Sequence, residues 1–144
     1  MKRILLTLSA IIMTAVNLMA QDSPLWLRRN DISPDGSKVA FTYKGNIYVV
    51  PVEGGRALQL TTNPEYDSDP IWTPDGRSIV FSSYREKSKD IYKVSAEGGT
   101  PERLTSHSVN ETPLEVMKDG SVLFTANIQQ DALYGDFPGT AQLY

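Results

Sequence analysis

The sequence predicts an all-β fold in which one unit of four short antiparallel strands recurs along the chain. Three observations predict it. The turn tetrad Ser33-Pro34-Asp35-Gly36 returns as Thr73-Pro74-Asp75-Gly76, and in weaker form as Met117-Lys118-Asp119-Gly120, its glycines 40 and then 44 residues apart. An apolar run centred on phenylalanine follows each tetrad: Val39-Ala40-Phe41, Ile79-Val80-Phe81 and Val122-Leu123-Phe124. No helical period of any length appears after residue 20.

The first element is an address. Lys2 and Arg3 precede an apolar run from Ile4 to Val16, and Ala20 is followed by polar Gln21-Asp22-Ser23. A basic head, an apolar middle and a small exit residue predict a secretory signal peptide over residues 1–20. An uncleaved membrane anchor is the alternative, but the run is shorter than the roughly 20 residues a spanning helix needs. No cysteine follows it, which excludes a lipid-modified N-terminus.

The repeat fills the rest. One strand leads into each turn tetrad. Pro34 and Pro74 preset the first corner, Asp35 and Asp75 suit the second, and Gly36 and Gly76 supply the positive φ that follows. The phenylalanine run is the second strand. The third carries an aliphatic–tyrosine pair: Ile47-Tyr48, Ile91-Tyr92 and Leu143-Tyr144. Glu53-Gly54-Gly55 and Glu97-Gly98-Gly99 make a further tight turn, and Leu60-Thr61 and Leu104-Thr105 end the fourth strand. Four strands every 40 to 45 residues are the signature of a β-propeller blade, so the chain reads as a signal peptide followed by about two and a half blades, 31–69, 70–112 and 113–144. Blades stack face to face. The nearly continuous apolar runs at Phe41, Phe81 and Phe124 therefore predict central strands covered on both sides, with Trp72 filling space between blades.

The segment between the second and third strands lengthens along the chain, from 7 residues (Phe41 to Tyr48) to 11 (Phe81 to Tyr92) to 20 (Phe124 to Tyr144). Inserts at one position of a repeat gather on one rim, often a functional one. The last insert, 127–141, carries Tyr134, Phe137, Pro138 and Gly139. Arg85, Glu86, Lys87 and Lys89 in the second are expected to form a solvated hairpin tip. A propeller needs four to eight blades to close, so the remaining blades are expected from a longer chain or from other copies.

Composition excludes several functions. Without cysteine there is no thiolate metal site, disulfide or cysteine nucleophile. The net charge of -3 argues against nucleic acid as a partner. Asp67 and Asp69 form a D-x-D pair but lack the further ligands and glycine of a calcium loop, and read as a polar link between blades. The one histidine, His107, has Ser106, Ser108 and Glu111 nearby in sequence, but sequence neighbours rarely reach triad geometry, and no nucleophile elbow is present. No catalytic, cofactor-binding or metal-binding residue is assigned, and no cofactor is expected.

The turn tetrads, phenylalanine runs, Asp90-Ile91-Tyr92, Glu97-Gly98-Gly99 and Arg103-Leu104-Thr105 resemble the WD40-like propeller repeats of the TolB and tricorn families. The opening stretch, Pro24-Leu25-Trp26-Leu27-Arg28 through Gly36 and on to Ile47-Tyr48 and Gln59-Leu60-Thr61, is similar to the beginning of exported tricorn-type serine peptidases. That resemblance implies a propeller that gates or binds peptide substrate, a periplasmic or secreted location, membrane contact only through the signal peptide during export, and catalytic residues outside this chain. The alternative it leaves open is a TolB-like periplasmic scaffold for protein partners, without catalysis. A third is the propeller cap of a prolyl-oligopeptidase-like hydrolase. Lys118, where the repeat has proline, and the long third insert depart from the pattern.

Overall fold

The computed structural model describes residues 27–126 and 142–144. The signal peptide expected over residues 1–20 and the insert 127–141 lie outside the described residues. Eleven strands and no helix occur among those described. Strands β1 (Leu27–Ile32), β2 (Lys38–Tyr43), β3 (Asn46–Pro51) and β4 (Leu58–Gln59) pair in order as one antiparallel sheet. Strands β5 (Asp67–Trp72), β6 (Ser78–Glu86), β7 (Ser88–Ser95) and β8 (Glu102–Arg103) form the second, and β9 (Glu111–Val116), β10 (Val122–Ala126) and β11 (Gln142–Leu143) the third. The sheets are three successive blades of an open, unclosed propeller.

Each repeated motif has a local cause. In the first turn Ser33 O accepts from Gly36 N at 2.8 Å, and the Asp35 carboxylate accepts from the Ser37 amide. Gly36 has φ +73°, where a side chain would be strained. The hydroxyls of Ser33 and Thr73 lock the turn by donating to Asp35 and Asp75, each at 2.6 Å. Met117 lacks a hydroxyl and Lys118 replaces proline, yet the third turn closes with the same Gly120 N to Met117 O bond, 2.9 Å. The phenylalanines and tyrosines of the motif are cross-strand partners with stacked rings: Phe41–Tyr48 at 5.7 Å, Phe81–Tyr92 at 6.0 Å and Phe124–Tyr144 at 5.7 Å between centroids. The leucine–threonine motif is a cap. Leu60 and Leu104 donate their amides to the carbonyls of Ile47 and Ile91, whose own amides donate to the hydroxyls of Thr61 and Thr105.

Two cores hold the blades together. Ala40, Ile47, Val49 and Leu60 of the first blade pack with Trp72, Ile79, Phe81, Tyr92, Val94 and Ala96 of the second. Val80 and Ile91 on the opposite face of the second blade pack with Val116, Ile71, Val122 and Phe124. The middle strands of the second blade are therefore covered on both sides, with Ile79 through Ser83 of β6 and Asp90 through Tyr92 of β7 all buried. The expectation of two-sided burial fails at Phe41 and Phe124: β2 alternates, Ala40 and Thr42 being buried while Phe41 and Tyr43 are not, and Val122 through Thr125 of β10 are only half-buried. Blade one has a described neighbour on one face alone, and its apolar run follows from stacking chemistry that the described residues satisfy only in the middle blade. Trp72 does fill space between blades. Its backbone amide donates to the Asp31 carboxylate at 2.7 Å and its indole N–H to the Asp31 carbonyl at 3.2 Å.

Candidate functional site

The first strands of the three blades, β1, β5 and β9, lie side by side, and with Lys89 of β7 they carry a row of polar contacts that crosses all three blades. A bulge places its central residues. Strand register slips between Arg28 and Asn30, and again between Ser68 and Ile71, with Arg29 at φ +47° and Asp69 at φ +55°. Non-glycine residues adopt this backbone rarely, and bulges recur where a sheet re-aims a side chain.

The re-aimed groups meet. Arg29 Nε lies 3.2 Å from Asp69 Oδ1, and Lys89 Nζ lies 2.8 Å from Asp69 Oδ2. Ser68 donates its hydroxyl to the same Oδ2, and Lys89 also donates to Thr112 Oγ1 at 2.9 Å. The chain of contacts runs from blade one through blade two to blade three. Burial works most strongly against ionised Asp69. The hydrogen bonds from Lys89 and Ser68 and the charges of Lys89 and Arg29 outweigh it, so the carboxyl is held below its usual range. Clefts open on either side. One, of about 230 Å³, is walled by Asn30, Pro70, Thr112 and Leu114; the other, of about 430 Å³, by Arg28, Thr42, Tyr66 and Ser68. Pro70 and Pro113 lack backbone donors, so these inner strands are blunted against strand addition. Arginine side chains beside tyrosine and open polar clefts suit the backbone and side-chain groups of a peptide.

The D-x-D pair is divided between partners. Asp67, fully buried, pairs with Arg85 at 2.9 Å, while Asp69 belongs to the row just described. The hairpin expected to be a solvated tip is one only at Glu86 and Lys87. Arg85 turns inward to Asp67 and lies over the rings of Phe81 and Tyr92, and Lys89 turns inward to Asp69. The buried carboxylate of Asp67 and the half-buried one of Asp69, which Arg29 also meets, drew them in, a demand that the local charge pattern does not reveal.

Glu111 is 2% exposed and its Oε2 has no hydrogen-bond partner. Burial pushes its carboxyl upward and the charge of Asp90 adds to this, against opposing pulls from Thr105, His107 and Arg103. Arg103 is itself held by Asp90 at 2.7 Å. His107 is exposed in the connection between β8 and β9, where its carbonyl accepts from Ser88 Oγ at 3.0 Å. Among the described residues no group of three or more His, Asp or Glu side chains is placed to hold a metal ion.

Comparison with known proteins agrees with this architecture. The chain is 29% identical over 123 residues to the uncharacterized peptidase YuxL of Bacillus subtilis (strain 168), a match covering 76% of this chain and 19% of that protein. It is 30% identical over 101 residues to tricorn protease homolog 1 of Streptomyces coelicolor, covering 69% of this chain and 10% of that one. The chain thus spans between a tenth and a fifth of these curated relatives. Among solved structures it is similar to the putative TolB from Agrobacterium tumefaciens, with a TM-score of 0.66 and 26% identity over 72% of this chain and 39% of that one. The model of the tricorn protease N-terminal β-propeller domain matches residues 24–136, and this chain belongs to that family.

Proposed function

We propose that residues 21–144 are the opening blades of an exported tricorn-like peptidase, and that they bind or gate peptide substrate while the serine nucleophile lies elsewhere in the protein. The match to the tricorn propeller domain over residues 24–136 carries this reading. The row of Arg29, Asp69 and Lys89, with polar clefts on both sides, supports peptide binding at that surface. The basic and apolar stretch at residues 1–20 supports export.

The test uses the native protein recognised by an antibody to residues 21–60. A species several times heavier than this chain, whose peptide turnover is abolished by a serine-reactive inhibitor, is the expected result. Heavy protein that captures a protein partner without any turnover would overturn it in favour of a TolB-like scaffold, the reading that the likeness to the Agrobacterium TolB structure favours.

A further inference from the structure

The rim that carries the turn tetrads holds a cleft of about 290 Å³ between the second and third blades. Its origin is visible when the two blade junctions are compared position by position. At the first junction the residue before the tetrad is Trp72, 5% exposed, which fills the space beside Val49 and Leu60. At the second junction that position is Val116, paired with Val122 as Trp72 is paired with Ile79. The indole has no counterpart. Leu104, the equivalent of Leu60, is accordingly 38% exposed where Leu60 is 5% exposed. Interiors seldom leave such a space between packed sheets.

Asp75 also lines the opening, its carboxylate accepting from the Thr73 hydroxyl and the Arg77 amide, and two further exchanges add positive charge there. Val49 is replaced by Lys93, and the tetrad proline, Pro74, by Lys118. Lys93 leans on Glu102 at 3.4 Å, a half-exposed pair of little strength. Lys118 is exposed and makes no ion pair among the described residues. The floor, Val80, Leu104, Val116 and Val122, is apolar.

We infer that this cleft is a binding site for an aromatic side chain of tryptophan size, carried on a peptide segment with acidic residues beside it. The ring takes the space that Trp72 takes at the first junction, over the floor of Val80, Leu104, Val116 and Val122. Lys118 and Lys93 face the flanking carboxylates. The cleft lies on the rim opposite the long hairpins, so the inference does not rest on the peptidase reading, and binding is measured without turnover.

The probe is the blocked peptide acetyl-Asp-Trp-Asp-amide, titrated calorimetrically into the full-length protein. Binding is expected, weakened at least about tenfold when the probe tryptophan is replaced by alanine, and likewise when lysines replace its aspartates. Val116→Trp should abolish binding without lowering the melting temperature, because the new ring occupies the cleft. Lys118→Glu, a surface change, should weaken the acidic probe and favour the lysine-flanked one. Equal binding of the alanine probe would show charge attraction alone and overturn the proposal. Undiminished binding by either folded variant, or no binding of the tryptophan probe to the unaltered protein, would overturn it too.

Discussion

Trp72 joins two blades through an apolar ring and two hydrogen bonds to Asp31; truncating the side chain leaves a cavity and an unmet Asp31 carbonyl, while the backbone amide still reaches the carboxylate. Trp72→Ala should cost about 3–5 kcal/mol in urea unfolding, as large-to-small core changes do. Asp31→Ala should cost less, since the ring stays in place. The titrating carboxyls make opposite demands. The pKa of Glu111 is raised in the folded protein, so native stability falls as pH rises from its ordinary value of 4.5 towards the raised one. Glu111→Gln should therefore melt with the unaltered protein at acid pH and above it at neutral pH. Asp69, held below 3.8, contributes stability above that value and loses it as acid protonates the group. Asp69→Asn should be destabilised at neutral pH, the difference closing in acid. Melting curves of both variants at both pH values check the two signs.

At the scale of strands and turns, the repeat was readable because each motif residue does a local job. Gly36, Asp35 and Pro34 make the same turn wherever they recur, and Thr61 and Thr105 cap the same amide. The polar row was not readable. Its residues, Arg29, Asp69 and Lys89, occupy unlike positions in their blades, and two are aimed by bulges whose register slips leave no mark in composition. The inward turn of Arg85 was missed for the same reason, since its partner Asp67 is 18 residues away on another strand. Glycines offer a test at this scale. Gly76 has φ +66° and an added Cβ would meet only Pro34 Cδ at 3.8 Å, so Gly76→Ala should cost about 1–2 kcal/mol from backbone strain. Gly45 has φ +78° and its Cβ would come within 3.1 Å of the Tyr66 ring. Gly45→Ala should cost more, and Tyr66→Ala in the same chain should recover the excess, as a double-mutant cycle would show.

Among the described residues the middle blade is the one with neighbours on both faces. Amides of β6 and β7 should exchange hydrogen most slowly and those of β1 and β2 faster, because local opening tracks buried contact. Equal protection in the first two blades would contradict this one-sided burial.

The Asp31–Trp72 link has a consequence in time. It spans 41 residues, about one repeat, and joins the second blade to the first. A chain emerging in order from the ribosome meets this partner surface as soon as the second unit is complete, so loop closure at this junction is about one blade length. Assembly can then proceed from front to back, each finished blade serving as the template on which the next one sets.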